Sequence, residues 1–129
     1  MDSYKKEVVS KPAKPGMPYS PAVSCGPLVF ISGSVGRDPA TGEIARGDVA
    51  GQTRQTMRNI AVHLEKARSS FDRAVKATIF ITDMNLFGEM NKAYRSFFQG
   101  DPPARSCVEV SKLPDPEALV EIELIALKP

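Results

Sequence analysis

The chain has 129 residues, 42% hydrophobic and 25% charged, the make-up of one folded domain rather than a low-complexity or disordered chain. Seventeen Lys and Arg against fifteen Asp and Glu leave a formal charge of +2, with basic residues spread from Lys5 to Lys128, which argues against a nucleic-acid partner. No run approaches the roughly 20 apolar residues of a membrane span, and the N-terminal Met-Asp-Ser-Tyr-Lys-Lys-Glu lacks the apolar stretch of a signal peptide, so a cytosolic location is expected.

Residues 5–9 have the pattern of a short first strand, and Gly16, Pro18 and Pro21 mark the loop that follows. Residues 22–32 are expected to form one buried strand around the continuous apolar run Leu28-Val29-Phe30-Ile31, stopped by Gly33, Gly36, Pro39 and the turn 40–42. From Asp48, Val49, Thr53, Met57, Ile60, Leu64 and Ala67 recur every three or four residues, which predicts an amphipathic helix with Asp48 as its N-cap.

Residues 75–82, rich in β-branched side chains, predict another buried strand. Phe87, Met90, Tyr94 and Phe97 then mark one face of a second helix, beginning after Asp83 or Asn85 and ended by Gly100 and Pro102-Pro103. Strands at 104–110 and 119–127 close the chain, separated by Leu113-Pro114-Asp115-Pro116. The order β-β-α-β-α-β-β predicts a mixed sheet with both helices on one face. A partner subunit is the natural cover for the other face, so a homo-oligomer is expected.

Strand alternation points Arg105, Cys107 and Glu109 to one side, and places Glu121 and Glu123 on a face with Ile125 and Leu127. A charge within an otherwise apolar strand needs a partner. Two readings stand: Arg105 forms a structural ion pair with Glu121 or Glu123, or these residues serve a ligand site. Cys107 has the surroundings of a small buried hydrophobe, and Cys25 and Cys107 are expected to stay unpaired. His63, the only histidine, lies beside the apolar stripe of the first helix and is expected to pack there. Tyr94 has the spacing of a core residue, and residues 33–36 have that of a turn rather than a phosphate cradle. Without a Cys/His ligand spacing, no metal is expected.

The segment Pro103-Ala104-Arg105-Ser106-Cys107-Val108-Glu109-Val110, followed by Leu113-Pro114 and Val120-Glu121-Ile122-Glu123, resembles the C-terminal signature of the RidA/YjgF reactive-intermediate deaminase family. The likeness extends through Pro18-Tyr19-Ser20, Phe30-Ile31-Ser32-Gly33, Asp38-Pro39-Ala40-Thr41-Gly42-Glu43, Gln52-Thr53-Arg54-Gln55, Phe80-Ile81-Thr82-Asp83 and Asn91-Lys92-Ala93-Tyr94. It implies an α+β, chorismate-mutase-like domain over residues 1–129, with a mixed six-stranded sheet, assembled as a homotrimer with sites between subunits and needing no cofactor.

By the same resemblance, Arg105 grips the carboxylate of a small 2-imino acid and Glu121 holds the attacking water. Tyr19, Ser32, Gly33, Asn91 and Cys107 line the same pocket. The implied reaction is hydrolysis of 2-aminoacrylate and related imines, 2-iminopropanoate and 2-iminobutanoate, to 2-keto acids and ammonia. Many family members carry Gln at the position of Pro21 and Gln-Ile-Pro at Ser34-Val35-Gly36, which leaves open another substrate, such as 2-aminomuconate from aromatic degradation. A carboxylate-binding or holdase trimer is a competing class. Ribonuclease activity, attributed to some relatives, finds one His and no basic patch to support it.

Overall fold

The computed structural model describes residues 4–129. It contains β1 (Glu7–Ser10), β2 (Ala22–Cys25), β3 (Leu28–Ser34), α1 (Val49–Lys66), β4 (Ala74–Ile81), α2 (Phe87–Arg95), β5 (Ala104–Glu109) and β6 (Val120–Leu127). Short 3₁₀ turns at Phe71–Arg73 and Met84–Leu86 precede β4 and α2. The six strands make one mixed sheet in the order β1-β2-β3-β6-β4-β5, in which only the β4–β5 pair is parallel.

The single strand expected over 22–32 is in fact a hairpin. Its two arms are joined by Gly26 and Pro27, and Gly26 has φ +57°, the left-handed value that a tight hairpin turn requires. Pro27 falls in the turn, where its missing N–H interrupts no ladder bond. The apolar pattern runs through both arms, so alternation alone hides the break, and the Gly-Pro pair is the signal that marks it. The strand count therefore rises from the five of the sequence pattern to six.

Asp48 caps α1 as expected, its side chain accepting the Gly51 N–H at 3.0 Å. The second helix is shorter than its aromatic spacing suggests. It ends at Arg95, so Phe97 lies beyond it, its ring edge-on to Phe71, and Phe98 is buried with its ring tilted against Tyr94. Tertiary packing of the aromatics, rather than helical periodicity, fixes that segment.

Both helices lie on one face of the sheet. Met57, Ile60 and Leu64 of α1 and Met90 and Tyr94 of α2 share a core with Val29, Ile31, Ala77, Ile79, Ile81, Ile122, Leu124 and Ala126. The opposite face leaves large apolar side chains in the open: Phe30 is 38% exposed, Leu127 38% and Val108 44%. Among the described residues, no helix is long and apolar enough to cross a membrane.

The cap provides a direct check on the architecture. Asp48→Ala should cost about 1 kcal/mol in urea unfolding at fixed protein concentration, with Asp48→Asn close to the parent. Equal losses from both variants would show that something other than the cap bond is at stake.

Candidate functional site

Strand register decides which of the candidate residues meet. On β5, Arg105 lies beside Ala77 of β4 and Cys107 beside Ile79, so both belong to the helix-covered face. On β6, Glu121 lies beside Phe80 and Glu123 beside Thr78, which places both on the open face. Ala77 in turn pairs with Leu124, three residues from Glu121, and an odd offset means opposite sides of the pleat. From two strand spacings and three residue rises, the Arg105 and Glu121 backbones stand roughly 14 Å apart. The intrachain Arg105–Glu121 or Arg105–Glu123 ion pair is thereby excluded. Among the described residues the one ion pair joins Arg37 to Asp115.

The first cluster is built where the edge strand β5 meets α2. Arg105 Nη1 donates to Asn91 Oδ1 at 2.7 Å, and its guanidinium carbon lies 5.2 Å from the Tyr94 ring centre and 5.5 Å from that of Phe87. Phe87, Asn91 and Tyr94 are spaced by four and then three residues, so one face of α2 supplies the whole cradle. Each ring face offers about 0.5–2 kcal/mol to a nearby cation. The guanidinium is half-buried, held by its partners, and without a carboxylate partner among the described residues. Such a group is prepared for an anionic ligand.

Two neighbours share this environment. Burial raises the Cys107 thiol above its ordinary pKa, and the adjacent Arg105 charge opposes the rise. Tyr94 is 3% exposed, its hydroxyl finds no hydrogen-bond partner among the described residues, and burial pushes its pKa up to about 12 against the opposing pull of Arg105. The core reading of Tyr94 is correct but incomplete, because the same ring forms the floor under Arg105. Glu109, third in line on this face of β5, is spent on structure: its Oε1 accepts the Met84 N–H at 2.7 Å at the start of the 3₁₀ turn.

The second cluster lies on the open face. Glu121 packs against Gly33 so closely that a Cβ there would meet its Oε2 at 2.5 Å, so any other residue would displace the carboxyl. Gly33 falls where the β3–β6 register shifts between Ile31 and Ser34, a bulge of the kind that re-aims side chains beside sites. Ser32 Oγ donates to the Ser20 carbonyl at 2.7 Å and Ser32 N to that of Pro21 at 2.9 Å, which pins the segment next to the half-exposed Tyr19. Burial, reinforced by the charge of Glu123, raises the Glu121 pKa.

Helix α1 sets this cluster from behind. Buried Gln52 accepts the Leu119 N–H at 2.8 Å and donates to the Glu117 carbonyl at 3.2 Å, fixing the entry to β6. Asn59 Nδ2 donates to the carbonyls of Val35 and Arg37, fixing the exit from β3. These two amides escaped the sequence reading, which treated α1 as an apolar stripe. A polar residue at a core-facing position, as Gln52 is between Val49 and Thr53, is the signal for them.

The structure thus groups Asn91, Arg105 and Cys107 in one place, and Ser32, Gly33 and Glu121 in another. His63 joins neither. Its Nδ1 lies 2.7 Å from Ser10 Oγ, tying α1 to β1, and burial with the nearby Lys66 lowers its pKa. Cys25 and Cys107 are both unpaired.

Residues 10–128 match the family described as endoribonuclease L-PSP. A RutC family protein of Pyrococcus horikoshii is 46% identical over 125 residues, covering 95% of this chain and 98% of that protein. The 2-iminobutanoate/2-iminopropanoate deaminase of Mus musculus is 38% identical over 130 residues, covering 99% and 96%. A crystal structure from Yersinia pestis, the conserved Rid family protein YyfA of unknown function, superposes with TM-score 0.87 at 42% identity, covering 95% of this chain and 99% of that one.

The raised Cys107 thiol has a measurable consequence. In a Cys25→Ser background, Cys107 should alkylate at pH 7 several-fold more slowly than an unhindered model thiol, because less of it is thiolate. Alkylation at or above the model rate would contradict this environment.

Proposed function

The chain belongs to the RidA/YjgF family, and from that premise we propose that it hydrolyses 2-imino acids and their enamine tautomers to 2-keto acids and ammonia. The observation that carries the reading is Arg105: a guanidinium held by Asn91 and two aromatic rings, with no carboxylate partner among the described residues. The names of mammalian relatives, deaminases of 2-iminobutanoate and 2-iminopropanoate at 35–38% identity, supply the reaction type.

In this proposal the substrate carboxylate accepts paired N–H bonds from Arg105, which orient the C=N carbon. Glu121 accepts a hydrogen bond from a water molecule and takes its proton as the oxygen adds to that carbon. Glu121 returns that proton to the nitrogen of the resulting carbinolamine, the C–N bond breaks, and ammonia leaves as the hydroxyl loses its proton and the carbonyl forms. A carboxyl whose pKa is raised is a stronger base once ionised, which suits Glu121 to this task. Cys107 and Tyr19 complete the pocket wall on the two sides.

Arg105 and Glu121 stand on opposite faces of one sheet, so the reaction needs them from different copies of the chain. The homotrimer implied by the family resemblance meets that need, and the exposed Phe30, Val108 and Leu127 offer it an apolar surface. The cytosol, where the two thiols stay reduced, is the proposed location. Ribonuclease chemistry draws no support from the geometry, since the single histidine is engaged with Ser10 rather than with Arg105 or Glu121.

Turnover is measured as 2-keto acid release from 2-iminopropanoate generated in situ by a serine dehydratase. Arg105→Ala should lower kcat/KM by about two orders of magnitude and Arg105→Lys by less, as expected for loss of a bidentate charged contact. No acceleration over buffer by the parent protein would refute the proposal.

The pH profile follows from Glu121. Its folded pKa is raised and its ionised form is the active one, so activity should fall on acidification. The midpoint should lie above the ordinary carboxylate value of about 4.3. Glu121→Gln should remove this limb together with most of the activity. Gly33→Ala should also lower kcat, by pushing the carboxyl aside, while Gly88→Ala, whose added methyl meets nothing within 4 Å on a helical backbone, serves as a control for a general effect of added methyl groups.

A further inference from the structure

A cleft of about 290 Å³ opens beside Arg105, lined by Asn91, Tyr94, Arg95, Pro102, Pro103 and Arg105. Asn91 and Arg95 are four residues apart on α2 and share its face, so the helix presents a second guanidinium to the space that Arg105 enters from β5. Arg95 Nη1 donates to the Phe98 carbonyl at 2.7 Å, an anchor that holds the group in place and leaves its other N–H donors available to a ligand.

The charges of this cleft do not balance. Its lining contains two arginines and no carboxylate, and the one ion pair among the described residues lies elsewhere, between Arg37 and Asp115. A substrate with a single carboxylate satisfies Arg105 and leaves Arg95 with the Phe98 carbonyl and solvent as its partners. A substrate with a second negative group satisfies both. Two like charges drawn into one concavity are a standing selection for a dianion.

We propose that Arg95 is a specificity-determining residue that makes this site prefer 2-imino acids carrying a second carboxylate, the short 2-imino dicarboxylates. The inference rests on the reading above, in which Arg105 takes the α-carboxylate. Planar, forked donors match a carboxylate at either end, and two guanidiniums lining one cleft suit a short acid that can reach both. Arg95 is solvent-exposed, so water and salt screen its contribution, and the preference it confers is about tenfold rather than several hundredfold.

The test compares kcat/KM for 2-iminosuccinate and 2-iminoglutarate with that for 2-iminopropanoate, each generated in situ by an amino acid oxidase. The measured quantity is the dianion-to-monoanion ratio in the parent protein, in Arg95→Ala and in Arg95→Lys. The parent should favour the dianions, the ratio should fall about tenfold in Arg95→Ala, and Arg95→Lys should keep part of it. A purely structural role for Arg95, closing the last turn of α2, would move both substrates together and leave the ratio fixed.

The proposal is overturned if the parent shows no preference for the dianions, or if Arg95→Ala leaves the ratio unchanged. If the parent turns over none of the imines, the deaminase reading fails on its own. Calorimetry then decides the role of Arg95: 2-oxoglutarate should bind more tightly than 2-oxobutanoate in the parent, and that difference should shrink about tenfold in Arg95→Ala. Equal binding of the two keto acids would overturn it.

Discussion

The two-residue period of a β-strand governs this molecule. Because β5 and β6 are both in register with β4, the side chains of Arg105 and Glu121 are committed to opposite faces of a sheet whose middle strands are wholly buried on one side. Slipping β6 by one residue would bring Glu121 to the same side as Arg105. It would also carry Val120, Ile122, Leu124 and Ala126, each at most 1% exposed, out of the core. The hydrophobic cost of that exchange, about 1.5–3 kcal/mol for each large side chain, far exceeds what an ion pair returns. The separation of the two charged groups is therefore a property of the core rather than of the site.

That constraint explains the different surroundings of the two clusters. Arg105 sits at the edge of the covered face, where α2 can press two aromatic rings and an asparagine against it and hold it without a counter-ion among the described residues. Glu121 sits on the open face, where the bulge at Gly33 lets the chain approach its carboxyl and the amides of α1 fix both neighbouring loops from across the sheet. One face thus holds the Arg105 cation and the other a carboxyl with a raised pKa. A second copy of the chain, bringing the complementary cluster, turns two incomplete sites into a complete one in the function proposed here.

Much of this was legible in the sequence. The apolar recurrence from Val49 to Ala67 and the Asp48 cap define α1, and alternation along 104–110 and 119–127 assigns every side chain of the last two strands to its face. Pattern cannot show which face of one strand aligns with which face of another, and so the ion pair and the ligand site stood as equals until β4 was placed between β5 and β6. The hairpin at Gly26 was obscured because hydrophobicity is continuous across it. The second helix is shorter than its aromatic spacing predicts because Phe97, the last residue of that spacing, is placed by edge-on packing against Phe71 rather than by helical repeat. Tyr94 shows the limit most plainly: core spacing and a place beneath the Arg105 guanidinium are the same observation in sequence, and only the 5.2 Å approach distinguishes them.

The account turns on Arg105 and Glu121 acting together from different copies of the chain, and mixed assemblies test this directly. Arg105→Ala and Glu121→Gln subunits, each inactive alone, are unfolded together, refolded at equal ratio and assayed for 2-keto acid release. In a closed ring with random mixing, about a quarter of the interfaces combine an intact Arg105 with an intact Glu121, so the mixture should recover about a quarter of the parent activity. A mixture that assembles fully yet stays as inactive as its components would contradict the shared site.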